Sequence, residues 1–298
     1  MADLVVAQGV SVPRRRGMDA LHACLSEPAV VIGGGFILFL IILALGAPWL
    51  APKDPLEQDV ILGATPPFWM TGAEPGHWLG TDDLGRDALS RVIYGARVAL
   101  TVAFVAATLA ALVGTFLGLV AGWRRGWVDG VVSRAVEIWM AFPPVLLSIL
   151  LVAVVGAGVS SVIIAIAIID WTRFCRVVRA ETINQASADY VTAARAVGFS
   201  RTRILLREVF PNVLPVLIAL VSLEMGIAVI VEAILSFVGL SVSSDTPTWG
   251  GMIAQGRQLM HQGWWILATP LVMLSLTVLA FNLLGEGLRR ALDPVLRR

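Results

Sequence analysis

Long apolar runs separated by short polar segments make up most of this chain. Five runs approach or exceed the about 20 residues that cross a hydrocarbon core of about 30 Å. They lie at about 29–50, 98–122, 145–170, 212–239 and 264–284. The interval 131–169 is interrupted by Pro143–Pro144 and by a second, glycine-containing break, so we divide it into helices at about 131–155 and 159–178. The pattern therefore predicts six transmembrane helices.

The composition agrees with this reading. Of 298 residues, 57% are hydrophobic and 14% are charged, whereas soluble domains are about half apolar and about a quarter charged. We therefore predict an all-α integral membrane protein.

The basic residues orient the predicted helices. With a cytoplasmic N-terminus, 17 of the 22 basic residues lie on the inner side of the membrane, as the positive-inside rule requires. The opposite orientation would break that rule at nearly every short loop. We expect both termini to be cytoplasmic, with residues 1–27 as a cytoplasmic segment and residues 28–298 as one transmembrane domain.

The first apolar run could also belong to a signal peptide, because Arg14 to Arg16 precede it. It is longer than the about 7–15 residues of a signal-peptide apolar region, and no clear cleavage site follows it. We interpret it as an uncleaved helix.

The sequence excludes several kinds of chemistry. A nucleotide-binding P-loop needs a Gly-Lys step, yet the only lysine, Lys53, follows Pro52. His22, His77 and His261 are scattered, so no metal site is predicted. Nothing resembles a G-x-S-x-G nucleophile turn, and no basic stripe suggests nucleic acid. We expect no catalytic residue and no bound cofactor in this chain.

The second predicted helix carries small residues at every fourth position. They are Ala106, Ala110, Gly114, Gly118 and Gly122. Such a ridge allows another helix backbone to approach closely in lipid. It indicates tight packing inside one bundle or, as the alternative, a subunit interface.

Carboxylates and prolines interrupt the apolar runs. A charged group at the centre of a membrane helix costs about 2.5–3.5 kcal/mol, so Glu224 and Glu232 need a polar path or a partner. Glu224 is a candidate lining residue of a translocation cavity or a structural carboxylate, and for Glu232 the structural role is favoured. Pro143 and Pro144 must bend or break their helix, either along a substrate path or as a simple structural kink.

The most informative polar segment is residues 189–215, which lies between two apolar runs on the inner side. Ser187 is a suitable N-cap and Gly198 a suitable residue after the C-cap, which predicts a short helix over Ala188–Val197. Ser200 can cap a second, basic helix. One face of the first helix carries Tyr190, Ala193, Ala194 and Val197.

This segment resembles the cytoplasmic coupling loop of the permease subunits of ATP-binding-cassette importers. That loop has Glu-Ala-Ala, three residues, Gly, and a hydrophobic-Pro step ending thirteen residues later. Here the matching residues are Thr192, Ala193, Ala194, Gly198 and Pro211. Thr192 departs from the usual Glu, which puts any salt bridge of that Glu in doubt.

Four further segments are similar to the C-type permeases of dipeptide, oligopeptide and nickel importers. They are His77 to Tyr94, Gly126 to Pro144, Glu232 to Val242 with Thr246 to Met252, and Leu276 to Pro294. The resemblance covers about residues 28–298. It implies a type I importer permease fold with six transmembrane helices and a cytoplasmic coupling loop at about 180–210.

The resemblance also implies partners in a bacterial inner membrane. A companion B-type permease would complete the translocation path, two separate ATPase subunits would use ATP and Mg, and a periplasmic or lipid-anchored binding protein would deliver substrate. It implies that this multi-pass chain is not itself an enzyme.

The same resemblance assigns roles to individual residues. The groove of the ATPase would receive Ala193, Ala194 and Gly198, and further coupling contacts would come from Tyr190, Thr192, Arg195, Arg201 and Arg203. The binding protein or the companion permease would meet Asp82, Asp83, Arg86 and Trp249. The alternative for these outer residues is that they form loop ion pairs and turn caps.

The implied function is import of di- and oligopeptides. Nickel chelates, glutathione and opines are alternative substrates within the same fold. A stand-alone ion-coupled carrier would differ in class and would show inverted repeats, which are not seen in the sequence.

Overall fold

Helices make up most of the described chain. The computed structural model describes residues 22–241 and 246–292. Its helices are α1 (Pro28–Leu45), α2 (Ala47–Leu50), α3 (Ala88–Arg124), α4 (Gly126–Met140), α5 (Pro144–Val155), α6 (Val159–Ala186), α7 (Asp189–Ala196), α8 (Arg201–Ile204), α9 (Phe210–Phe237), α10 (Trp249–Gln258) and α11 (Trp264–Leu292). Within the described ranges, β pairing is limited to one isolated bridge, between Thr81 and Asp87. Residues 1–21 of the predicted N-terminal segment lie outside the described ranges.

Four helices of the described chain are long and apolar enough to cross a membrane, namely α1, α3, α11 and the continuous helix Arg201–Phe237 that contains α8 and α9. A fifth span is obtained if α4 and α5 together cross once. The remaining predicted helix corresponds to α6, whose 28 residues extend about 42 Å. Asp170, Arg173 and Arg176 lie near its middle, so length and apolarity alone do not reach the predicted count of six.

The helix predicted at about 131–155 is broken at Pro143–Pro144, where the sequence requires a bend or a break. α4 ends at Met140, α5 begins at Pro144, and the two axes differ by 85°. Pro143 has an extended backbone, with ψ of 120°, because the residue before a proline is disfavoured in the helical region. The Pro-Pro step therefore breaks the helix and turns its axis by nearly a right angle.

Close packing of α3 against α6 forms the centre of the fold. A Cβ atom added at Gly114 would lie 2.3 Å from the carbonyl oxygen of Trp171, and one at Gly118 would lie 2.7 Å from that of Cys175. One at Gly122 would lie 2.8 Å from the carbonyl oxygen of Arg179. The small residues of α3 therefore pack inside the bundle, which confirms the first of the two interpretations.

Candidate functional site

The polar segment predicted on the inner side folds as α7, a sharp turn and α8. Ser187 is not the N-cap of α7, which is Ala188. Ser187 instead ends α6 and donates its hydroxyl to the carbonyl of Ile183 at 2.7 Å. Its backbone (φ −92°, ψ −6°) is close to helical, so it cannot take the extended conformation of an N-cap.

Gly198 terminates α7 as predicted. Its φ of +88° lies in the left-handed region, where glycine is favoured. The Phe199 N–H donates to the carbonyl of Ala194 at 3.1 Å, and the Gly198 N–H donates to that of Arg195 at 3.0 Å. This is a Schellman arrangement. Ser200 then caps α8, because its hydroxyl accepts from the Arg203 N–H at 3.3 Å.

One face of α7 is seated on the membrane helices. Val191 is fully buried and packs with Val178 of α6 and Val213 of α9. Ala194 is half-buried against the same cluster. Ala194 therefore points partly toward the membrane helices, and less of its side chain is open to a partner than the sequence predicted.

The opposite face of α7 is open to solvent. The exposed residues of this face and of the turn that follows it are Thr192, Ala193, Ala196, Val197 and Gly198. Val197 is 74% exposed. We call this set the coupling surface. Small side chains at its centre leave room for another protein to approach the helix backbone.

Tyr190 joins α7 to its neighbours. Its hydroxyl donates to Oε1 of Gln185 at 2.7 Å and accepts from Nδ2 of Asn212 at 3.3 Å. Burial raises the pKa of the Tyr190 phenol, so it stays protonated and can donate. The side chain therefore fixes α7 between the end of α6 and the start of α9.

Two of the arginines in this segment contact aromatic rings of their own chain. The guanidinium of Arg195 lies 5.5 Å from the ring centre of Trp123 on α3, and that of Arg203 lies 3.9 Å from the ring of Phe199. Such cation–π contacts contribute about 0.5–1 kcal/mol at exposed sites. Arg201 is exposed. Arg195 and Arg203 therefore brace the segment, and a direct role in coupling stays a prediction.

Glu224 does not face an open cavity in this structure. Its side chain is buried between α9 and α6, where Oε2 lies 3.2 Å from Nη1 of Arg173. The Arg173 side chain is 33% exposed, so the arginine, and not the carboxylate, reaches the surface. Of the two roles that the sequence left open for Glu224, its burial and its contact with Arg173 favour the structural ion pair.

Glu232 has the structural role that the sequence favoured. It is 1% exposed and accepts from the hydroxyls of Ser236 at 2.6 Å and Ser241 at 3.2 Å. Pro143 and Pro144 are exposed at the α4–α5 break. Their possible place along a substrate path stays a prediction.

Three of the four predicted outer contact residues, namely Asp82, Arg86 and Trp249, are buried in this structure. Asp82 is 2% exposed; its Oδ2 accepts from Nε of Arg86 at 2.7 Å and also pairs with Arg91. Trp249 is 1% exposed and donates Nε1–H to the carbonyl of Val92 at 3.0 Å. Direct contact of Asp82, Arg86 and Trp249 with another protein is contradicted by their burial, because the loop folds onto α3. Asp83 remains exposed.

Sequence reasoning missed a second polar network at the N-terminal end of α3. Lys53 Nζ lies 2.9 Å from Nε2 of His77, and His77 Nδ1 lies 3.0 Å from Oδ1 of Asp87. Asp87 Oδ2 also accepts from the N–H and hydroxyl of Ser90, at 2.8 and 2.7 Å. Asp87 is thus both the N-cap of α3 and the anchor of the outer loop. An Asp directly before the apolar run that begins at Ala88 is the N-cap signal that could have found it.

Comparison with known families identifies the chain. The model of the binding-protein-dependent transport system inner membrane component matches residues 114–298, which include the whole α7–α8 segment. The chain belongs to this permease family. A second model, the N-terminal TM domain of oligopeptide transport permease C, matches residues 17–67. The family resemblance read from the sequence is therefore confirmed, and the chain is an inner membrane transport component.

Relatives of this permease are similar over most of their length. The dipeptide transport system permease protein DppC of Escherichia coli K12 is 42% identical over 289 residues, 96% of each chain. The di/tripeptide transport system permease protein DppC of Pseudomonas aeruginosa is 40% identical over 88% of this chain and 86% of that protein. The glutathione transport system permease protein GsiD of Salmonella paratyphi A is 39% identical over 91% of this chain and 88% of that protein.

A solved structure supports the fold of the permease. A chain of the MetNI methionine ABC transporter, in an inward-facing conformation, superposes with a TM-score of 0.57 and 20% identity, over 68% of this chain and 96% of that chain. The all-α ABC importer permease fold is therefore confirmed. The division at residue 28 and the roles of single coupling residues stay predictions.

Proposed function

We propose that this chain is the C-type permease subunit of an ATP-dependent importer of di- and oligopeptides. A companion B-type permease completes the path across the bacterial inner membrane, and a binding protein delivers the substrate. The E. coli dipeptide permease supports this proposal, because it is 42% identical over 96% of both chains.

The observation that carries the coupling mechanism is the exposed coupling surface on a rigid base. Val191 and Tyr190 hold α7 against α6 and α9. Only Ser187 and Ala188 separate α6 from α7. A force on α7 therefore passes directly into two membrane helices. An ATPase that grips α7 would move both when its nucleotide state changes.

The energy source lies in other chains. The sequence has no P-loop, and its only lysine is engaged with His77 on the outer side. Two ATPase subunits would bind ATP and Mg, and this chain would hold neither. By itself it would be non-catalytic.

Glutathione is the second candidate substrate. The Salmonella glutathione permease is 39% identical over 91% of this chain, nearly the identity of the dipeptide relatives. Both substrates are short, peptide-bonded and zwitterionic, so one path could accommodate either.

Reconstitution tests the proposal. The chain would be affinity-purified from its native membrane, and the recovered complex placed in proteoliposomes with its binding protein and internal ATP. We expect uptake of a radiolabelled dipeptide that stops without ATP, with glutathione competing weakly. Uptake of glutathione alone would favour the second candidate. ATP-independent uptake by the isolated chain would refute the importer.

The proposed orientation is tested separately. A C-terminal alkaline phosphatase fusion should be inactive, and a C-terminal green fluorescent protein fusion should be fluorescent, because both termini are proposed to be cytoplasmic. The reverse result would refute this orientation.

A further inference from the structure

Three aromatic rings form an exposed cluster on the loop between α2 and α3. Phe68, Trp69 and Trp78 are 60%, 54% and 57% exposed. The Phe68 ring centre lies 5.1 Å from that of Trp69 and 5.6 Å from that of Trp78, both edge to face. We call these three residues the aromatic platform. Exposed apolar patches on folded proteins commonly mark interaction sites.

The platform stands on a fixed base. The Phe68 N–H donates to the carbonyl of Trp78 at 3.3 Å, which joins the two arms of the loop. His77, next to Trp78, is buried and bonded to Asp87 at the start of α3. Thr81 binds Thr65 and accepts from Trp265 of α11. Rigid aromatic side chains lose little entropy on binding, so such residues are common binding hot spots.

The loop around the platform is strongly acidic. Between Ala51 and Asp87 the sequence has seven acidic and two basic residues. The exposed acids are Asp54, Glu57, Asp59, Glu74 and Asp83. Glu74 lies on the segment that connects Trp69 to Trp78. If the rings were buried in lipid, the Glu74 carboxylate would be brought toward the apolar part of the membrane, which disfavours a charge. A protein with basic side chains would instead pair with this carboxylate.

We propose that the aromatic platform docks an apolar patch bordered by basic residues on the solute-binding protein. The inference rests on the proposed function, which places this loop on the outer side of the membrane. It assigns the contact to residues other than Asp82, Arg86 and Trp249, whose side chains are buried. The rings would supply most of the affinity, and the acidic residues would steer the approach.

The test uses the complete transporter in nanodiscs and the binding protein that co-purifies with it. The measured quantity is the binding-protein concentration that gives half-maximal stimulation of ATP hydrolysis. For Trp69→Ala/Trp78→Ala we expect this concentration to rise about tenfold or more, with the maximal rate unchanged. The matched control is Trp49→Ala, which removes an indole that is 85% exposed on α2, and it should have no effect.

A second variant keeps the rings intact. Glu74→Lys should raise the half-maximal concentration about threefold or more at about 50 mM salt, and the difference should shrink at about 300 mM salt because exposed charges are screened. An unchanged half-maximal concentration in both variants would overturn the inference. Quenching of Trp69 and Trp78 fluorescence by brominated lipids would overturn it as well, since the platform would then lie in the membrane. If no binding protein stimulates the unmodified complex, the proposed function fails first and this inference with it.

Discussion

Replacing Gly114 with alanine tests the contact between α3 and α6 that holds the bundle together. The added Cβ would lie 2.3 Å from the carbonyl oxygen of Trp171, 2.5 Å from Cβ of Phe174 and 2.9 Å from the backbone nitrogen of Cys175. An ordinary contact is 3.4 Å or more, so the helices must separate by about 1 Å in an interior that is close-packed. Since two of the three neighbours are backbone atoms, no rotamer change relieves the clash. We expect a loss near the upper end of the about 1–3 kcal/mol that overpacking costs.

The matched control is Gly35→Ala on α1. A Cβ at Gly35 meets nothing within 4 Å, and alanine stabilises a helix interior by about 0.5–1 kcal/mol relative to glycine. Thermal unfolding of the purified complex in one detergent should show a lower midpoint for Gly114→Ala, by roughly 2–4 °C per kcal/mol. The midpoint of Gly35→Ala should be equal to or above the unmodified value. If Gly114→Ala were as stable as the unmodified protein, α3 and α6 could not be in backbone contact at this position.

Three further predictions follow from burial. Val197→Asp places a charge on the coupling surface and should abolish ATP-dependent uptake while the protein reaches its normal abundance in the membrane. Val191→Asp places a charge on the buried face of α7 and should prevent the protein from accumulating in the membrane. The same phenotype for both variants would contradict a helix with one buried and one exposed face. Asp82→Ala leaves buried arginines unpaired and should lower the free energy of unfolding by about 3–5 kcal/mol. The control is Glu137→Ala, which removes a side chain that is 61% exposed in its ion pair and should lower this free energy by less than about 0.5 kcal/mol. Equal losses would show that the Asp82 cluster is open to water. Glu224→Gln should lower stability by about 1–3 kcal/mol and reduce uptake only in proportion to abundance; a transport defect at unchanged stability would restore its cavity role.

Local patterns in the amino-acid sequence predict the fold class, the approximate positions of the long helices and the segment that contains α7 and α8. These features depend on local physics: apolar length, a proline pair at 143–144, a left-handed glycine at 198 and a serine cap at 200. The ridge of small residues on α3 also predicted a close helix contact. Each signal acts over a few neighbouring residues, so it can be read without the partner segment.

The tertiary structure alone decided which polar groups are buried and what they bind. Arg173 reaches Glu224 from a residue 51 positions away, and Gln255 binds Arg91 across 164 positions. Trp249 is interior because α10 packs over the start of α3. A charged or aromatic residue in a loop has the same local sequence signature whether it meets solvent, a partner or its own chain. Its burial depends on where distant segments fold, and for Asp82, Trp249 and Glu224 that decided between the two roles that the sequence left open.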